Sequence, residues 1–452
     1  MTWPAHAQDD PTYSSIPVID VVAGFGTSYS GGEFLSMAID TADGAPMLAY
    51  SVFDPDAAAE NQPFVQRRAD GVLMLTLCDD LQCAKPEHII YTEDADNDGT
   101  TDNIGYDADI ALNPATSSPI AIYRNQTTGA LRMLICSPAA MLDTPADKCR
   151  VQATITVDPG DIANGIYAGL NADVAINDSG QAYIVYRRAA GPGPDAPPPT
   201  IELVRCDLQA ATCETLQSLS DVGNLRNFLS LALIPDSQIP VVSYNESSGP
   251  RPPSTRLRLL TCSDADCSTI QRVNLDGDAQ DAVPPYQVGF FSDLAFVDAN
   301  TADDDLELIV VYIAQNNQDG DRGMVLTVCD ESPPYTDCNI DDADANLQRV
   351  RLYGLGQAPS IAIDSATGWP LIAFQDTETT SLALLRCGSA DCADTDANTV
   401  VVSLGGQDAV VQDTGRQTSL ALEKSADGVT WPVIAHYNAT QQRPELYRPD
   451  AE

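Results

Sequence analysis

The apolar positions of this chain fall in short runs of strand length, separated by Gly, Pro, Asp, Asn and Ser, and the runs recur. "SMAIDTADGAPMLAY" from residue 36 aligns with "DIALNPATSSPIAIY" from 109, "DVAINDSGQAYIVY" from 173 and "SLALIPDSQIPVVSY" from 230. "DLAFVDANTADDDLELIVVY" from 293, "SIAIDSATGWPLIAF" from 360 and "SLALEKSADGVTWPVIAH" from 419 continue the series. Anchored on Ala38, Ala111, Ala175, Ala232, Ala295, Ala362 and Ala421, the seven copies follow one another at intervals of 57 to 73 residues. A period of that length marks a repeat architecture, in which each unit buries its faces against its neighbours.

Each copy predicts four strands. The first alternates a small residue with a large apolar one, as Ala38 between Met37 and Ile39, and the second is a short apolar run ending at an aromatic. The third runs into a cysteine, and the fourth is a segment such as "HIIYTED" or "NTVVVSLGG". Four-stranded units repeated about an axis are the blades of a β-propeller, with the first strands lining a central channel. The expected fold is therefore all-β: a seven-bladed β-propeller of four-stranded antiparallel blades, with blades starting near 36, 109, 173, 230, 293, 360 and 419. The last copy runs out after three strands, at about 418–423, 432–437 and 444–448. "IPVIDVVAG" at 16–24 has the profile of "TVVVSLGG" at 399–406, so an N-terminal strand is expected to complete the last blade and close the ring without open edges.

All twelve cysteines fall in close pairs: Cys78/Cys83, Cys136/Cys149, Cys206/Cys213, Cys262/Cys267, Cys329/Cys338 and Cys387/Cys392. Zinc is the competing reading, but neither CxxC spacing nor accompanying histidines are present. Six local disulfides in an oxidising compartment are expected, each contributing on the order of 2 kcal/mol in the loop-entropy model. The repeat S-x-A-x-D-x-x-G-x-P-x-x-x-Y with its cysteine hairpin resembles a group of secreted bacterial propellers, some of them sialidase-like. That resemblance implies the fold. A sialidase Asp-box reads S-x-D-x-G-x-T-W, and "SADGVTW" at 425–431 is one residue short and stands between the first and second strands instead of the third and fourth. No sialidase catalytic residues are carried over, because fold alone does not confer function.

The first residues, "MTWPAHAQDD", read as Met1 followed by the end of a secretory signal, with cleavage before Gln8. Residues 1–7 are then a signal remnant and 8–452 a single propeller domain. No segment has the roughly 18 to 20 uninterrupted apolar residues of a membrane span. The chain has 452 residues and 65 acidic against 23 basic side chains, a formal charge of -42. Such a surface repels nucleic acid and anionic membrane, and the expected setting is secreted, periplasmic or cell-surface.

Within that acidity, "DADNDGTTD" stands out: Asp94, Asp96, Asp98, Gly99 and Asp102 match D-x-D-x-D-G-x-x-D. Oxygens from Asp94, Asp96, Asp98 and Asp102, with the backbone carbonyl of Thr100, are the set that surrounds Ca2+, and the glycine permits the sharp turn. The pattern is similar to the calcium loops of integrin propellers and to the first part of an EF-hand, but Gly105 stands where an EF-hand needs glutamate. A structural Ca2+ is expected here, the alternative being a solvated acidic turn. "LDGDAQDA" (Asp276, Asp278, Asp281) and "NNQDGDRG" (Asp319, Asp321) are weaker candidates.

Two rings recur with the repeat. One is Ser36, Asp109, Asp173, Ser230, Asp293, Ser360 and Ser419, expected to cap backbone groups between blades. The other follows the aromatic of strand two and varies between copies. From it Arg124, Arg187, Arg188 and Glu246, with Arg226 and Tyr106, form a candidate anion or sugar-acid site at the channel mouth. Of the three histidines, His436 replaces the aromatic of the other copies and reads as packing, and no G-x-S-x-G elbow, phosphate loop or histidine metal cluster is present. The expected function is a binding or structural propeller, stabilised by disulfides and calcium, that contacts a protein or polysaccharide partner, with the question of catalysis left open. The alternatives are a lectin, and a glycan hydrolase or lyase acting at the funnel.

Overall fold

The computed structural model describes residues 13–17, 30–40, 44–53, 71–78, 83, 86–137, 149–190, 197–220, 222, 228–248, 254–277, 286–298, 306–316, 322–330, 333, 335–339, 347–353, 356–394, 397–402, 413–414, 416–424 and 430–449. Seven four-stranded antiparallel sheets stand in a ring, and in six of them the strands follow chain order from the channel outwards. Blade 1 covers 30–91, blade 2 covers 106–158, blade 3 covers 166–219 and blade 4 covers 229–276. Blades 5 and 6 cover 286–353 and 356–402, and blade 7 takes its first three strands from 416–449. Its fourth is Tyr13–Pro17, paired antiparallel with Arg443–Pro449 from Tyr13 opposite Pro449 to Pro17 opposite Glu445. The ring is thus closed by an N-terminal strand, which starts at Tyr13, three residues before the expected 16–24. Only Ile16 and Pro17 are shared, and 18–24 lie outside the described residues.

The core is divided among the seven interfaces. Met47, Ala49, Leu73 and Leu75 of blade 1 pack on Ala108, Ile110, Ala121 and Tyr123 of blade 2. Equivalent clusters repeat at each junction and end where Val433, Ala435 and Leu446 of blade 7 meet Leu35, Met37 and Leu48 of blade 1. Burial tracks this arrangement: the second strand Ser118–Arg124 is buried throughout, while the outer strand Val151–Asp158 is largely open. The alternation of the inner strand now has its reason. All seven anchor alanines face the following blade, and Met37, Leu231, Leu294, Ile361 and Leu420 face the preceding one. A small residue on one side leaves room for the bulk offered by the next blade, so close packing is met by size complementarity.

The Ser/Asp ring links the blades beside the channel. Ser36 Oγ accepts from the Ile110 N–H at 3.3 Å and donates to Asp109, whose Oδ2 accepts from the Val174 N–H at 2.7 Å. Asp173 Oδ2 accepts from the Leu231 N–H at 2.7 Å, and Ser230 donates to Asp293 Oδ1 at 2.9 Å. Asp293 Oδ2 accepts from Ile361 N–H at 2.9 Å, Ser360 Oγ from Leu420 N–H at 3.1 Å, and Ser419 Oγ from Met37 N–H at 3.1 Å. The chain of hydrogen bonds crosses all seven junctions, as capping between blades requires. At the rim, disulfides Cys78–Cys83, Cys136–Cys149, Cys206–Cys213, Cys262–Cys267, Cys329–Cys338 and Cys387–Cys392 clip the blades, and no free cysteine is left. No helix among the described residues is long and apolar enough to cross a membrane.

A buried aromatic recurs in the second strand of six blades, one to four residues before the strand ends: Tyr50, Tyr123, Tyr186, Tyr244, Tyr312 and Phe374. The seventh position is His436, fully buried, with Glu445 Oε2 3.8 Å from its Nε2. Burial lowers its pKa to about 4, partly opposed by the Glu445 charge. A histidine held neutral in the fold favours the unfolded state once protons become available. Its contribution is therefore intact above the unfolded value near 6.5 and is lost as the pH falls towards about 4, amounting to about 3 kcal/mol there. We expect His436→Phe, the choice repeat six makes with Phe374, to flatten the loss of stability between pH 6.5 and 4 in denaturant unfolding. An unchanged slope would show that other groups set it.

Candidate functional site

Each inner strand except the one in blade 4 breaks register just before its Ser/Asp ring residue. The shifts fall between Glu33 and Ser36, Tyr106 and Asp109, Leu170 and Asp173, Phe290 and Asp293, Gln357 and Ser360, and Arg416 and Ser419. In each of these bulges one residue takes a left-handed backbone: Phe34, Asp107, Asn171, Phe291, Ala358 and Gln417, with φ between 48° and 54°. None is glycine, and a left-handed non-glycine residue costs about 1–2 kcal/mol. A bulge re-aims its side chain. Here the re-aimed side chains share one destination: with Phe228, the corresponding position of blade 4, all of them line a cavity of about 840 Å³ at the channel mouth.

The lining is chemically mixed. Phe228 and Phe291 lie with ring centroids 4.2 Å apart, and Phe290 meets Phe228 edge-on at 5.8 Å. Gln357, Gln375, Gln417 and Asn171 supply amides, Ser230, Ser292, Ser360 and Thr418 hydroxyls, and Asp107, Asp173 and Asp293 carboxylates. Among the described residues no arginine or lysine lines it. Burial raises the pKa of Asp109, Asp173 and Asp293. For Asp173 the rise is large, because the charge of Asp109 adds to burial.

The residues expected from sequence to form an anion site are placed as follows. Arg124 is buried, donates from Nε to Asp107 Oδ2 at 2.9 Å, and stands over the Tyr106 ring at 5.0 Å. Asp107 Oδ1 accepts from the Asn171 N–H at 3.1 Å, so this pair also bridges blades 2 and 3. Arg188 is 3.5 Å from Asp158, and Arg187 lies opposite Leu170 and Ile201 in the second strand of blade 3. Glu246 takes Arg258 at 3.4 Å and Arg272 at 3.8 Å. Arg226 lies outside the described residues. Tyr106 and Arg124 are brought together, Arg188 and Glu246 are each matched locally, and none of the five described residues lines the cavity.

The bulge positions were missed in the sequence because they carry no common residue type. The signal was there in the spacing: each stands two residues before its Ser/Asp ring member, where the seven copies read Phe, Asp, Asn, Phe, Phe, Ala and Gln. The acidic loop gathers three of its five predicted residues. Carboxylate oxygens of Asp94, Asp96 and Asp98 lie within 4.8 Å of one another, all exposed, and Asp102 is buried behind them. Of the weaker acidic candidates, Asp276 is buried, accepts from Tyr312 Oη at 2.6 Å and pairs with Arg349. Asp278, Asp281, Asp319 and Asp321 lie outside the described residues.

No protein-family model and no curated protein matches this chain. Among solved structures, a protein of unknown function from Dyadobacter fermentans is similar at 8% identity and a TM-score of 0.50, covering 94% of this chain and 96% of the other. This likeness is one of fold. The polysaccharide lyase Uly1 is similar at 9% identity and a TM-score of 0.46, over 91% of this chain and 88% of the other. An endo-arabinase from Bacteroides thetaiotaomicron follows at 10% identity and 0.35, over 66% and 93%. Neither of these two bears on what the cavity does.

The raised pKa of Asp173 has a measurable consequence. A carboxyl group whose pKa is raised by folding stabilises the fold below its unfolded value, near 3.9, and that contribution is lost as the pH rises through the folded value. Asp173→Asn mimics the protonated form and retains an acceptor for the Leu231 N–H. We expect its melting midpoint to exceed that of the unsubstituted protein at pH 8 and to approach it near pH 4. A lower midpoint at pH 8 would exclude the raised pKa.

Proposed function

We propose that this chain is an exported binding propeller that takes a segment of neutral polysaccharide in its channel mouth. The observation that carries this reading is the set of seven equivalent positions two residues before the Ser/Asp ring: one per blade, six of them in bulges, all at the cavity, and different in chemistry while the ring beneath them stays Ser or Asp. A repeat that serves only closure keeps the same residue at equivalent positions. Variation where strained backbone directs side chains into one cavity is the pattern of a binding surface built on a rigid scaffold.

The chemistry of the lining favours a sugar without charge. The paired phenyl rings of Phe228 and Phe291 offer an apolar surface to the C–H face of a pyranose, while the amides and hydroxyls match its hydroxyl groups. Concave sites with a few polar groups among apolar ones hold small ligands in this way. Acidic sugars meet Asp107, Asp173 and Asp293 with no cation among the described lining residues, and Arg124 and Arg188 are already opposite carboxylates. Hydrolysis is supported less well than binding: Asp109, Asp173 and Asp293 direct oxygens to backbone N–H groups of the next blade. Export rests on six disulfides and no free cysteine, a state that persists in oxidising compartments.

A glycan array followed by calorimetry on the full chain tests the reading. Neutral oligosaccharides are expected to bind, and Phe228→Ala with Phe291→Ala to weaken them at least tenfold. Selective binding of uronic acids, binding indifferent to the double substitution, or silence on the array would overturn it. Release of reducing or unsaturated ends from a bound glycan would replace it with an enzyme.

A further inference from the structure

We infer that residues 94–102 hold a calcium ion, and that the ion clasps blade 1 to blade 2. Local geometry sets the loop first. Asp94 Oδ1 accepts from the Asp98 N–H at 3.1 Å and its Oδ2 from the Gly99 N–H at 3.0 Å, while Asp98 Oδ1 accepts from the Thr100 N–H at 2.8 Å. Gly99 turns the chain at φ 86°, with open space where a Cβ would stand, so it is required for its backbone alone. These turns gather the three exposed carboxylates but do not by themselves indicate a ligand, since acidic turns are common on a surface of this charge.

Asp102 supplies the independent observation. It is 1% exposed, and one carboxylate oxygen, Oδ2, accepts from the Ala95 N–H at 2.9 Å and from Asn125 Nδ2 at 2.7 Å. Its other oxygen, Oδ1, is buried and has no hydrogen-bond partner. Ala95 lies between Asp94 and Asp96, so the bond to its N–H holds the Asp102 carboxylate against the backbone of the loop. A buried carboxylate oxygen left without a partner costs about 1–3 kcal/mol or more, and a cation is the partner that three further carboxylates also need. Asp94, Asp96, Asp98, Asp102 Oδ1 and the Thr100 carbonyl make five protein oxygens, to be completed by water. An all-oxygen set of this kind on an adaptable loop suits Ca2+, whereas Mg2+ demands near-ideal octahedral geometry and gives up its waters reluctantly.

The loop is also where an ion would tie blades together. The Asp102 N–H donates to the Glu93 carbonyl at 2.8 Å, closing the loop at its neck. Glu93 accepts from Tyr123 Oη at 3.0 Å, from Asn125 at 2.8 Å and from Arg132 at 3.2 Å, all in blade 2. Asn103 Oδ1 accepts from the Gly71 N–H of blade 1 at 2.8 Å, and its carbonyl accepts from the Gln126 N–H of blade 2 at 2.8 Å. A cation on Asp102 therefore acts on a junction already wired to both blades. The inference is independent of what the channel mouth binds.

The test is calorimetric titration of the chelator-treated full chain with CaCl2 in 0.15 M NaCl. MgCl2 serves as the control for diffuse attraction to an acidic surface. One saturable Ca2+ event is expected, weakened at least tenfold in Asp102→Asn and in Asp96→Ala with Asp98→Ala. Asp102→Asn keeps side-chain size and an acceptor for Ala95, and the alanine pair is exposed, so both variants should retain the far-ultraviolet spectrum of the parent. Ca2+ should also raise the melting midpoint of the parent by several degrees and leave both variants unmoved. Absence of a saturable event in the parent, equal uptake of Mg2+, or Ca2+ affinity unchanged in either variant would overturn the site.

Discussion

Every blade of this protein has two faces to bury, and among the described residues no helix longer than three residues is available to cover them, so each must serve as its neighbour's lid. The contact between adjacent inner strands meets that requirement. On one side an alanine leaves space, on the other a Met, Ile, Val or Leu fills the space left by the preceding blade. The backbone N–H groups exposed by that spacing are taken up by the Ser/Asp ring, which crosses every junction including the one between blade 7 and blade 1. A closed ring cannot lose one such contact without opening an edge, and that is why the N-terminal strand Tyr13–Pro17 completes blade 7.

The same contact makes the channel mouth available for chemistry. Because the ring residues and the alanines carry the packing, the residue two positions earlier is released from it and lifted by a bulge towards the axis. Phe34, Asp107, Asn171, Phe291, Ala358 and Gln417 accept a left-handed backbone at that place. Asp107 shows that the division is not absolute. It faces the cavity, yet it holds Arg124 with one oxygen and the Asn171 N–H with the other, so an apparent site residue also fastens blade 2 to blade 3.

Acidity enters the fold in three forms. Exposed carboxylates keep the surface negative. Some buried ones are paired with arginine, as Glu93 with Arg132 and Asp276 with Arg349, and others accept from backbone N–H groups of the next blade, as Asp109 and Asp173 do. Asp102 belongs to neither group, and its free oxygen is the feature that separates the loop at 94–102 from an ordinary acidic turn.

The seven repeats, the four strands in each, the cysteine pairs and the inter-blade ring were legible in the sequence. All depend on short-range spacing or on a period that recurs along one chain. Even the burial of His436 followed from its place in the repeat. Which side chains meet in the mouth was not legible, because the aim of a side chain at a bulge depends on the register between two strands, and register is absent from any single segment. Tertiary structure also decided which charges are already matched, bringing Asp107 to Arg124 and Asp158 to Arg188. Sequence thus determined the ring and its closure, where period and alternation carry the information. The fold decided the content of the cavity, where seven unlike residues converge from positions some sixty residues apart.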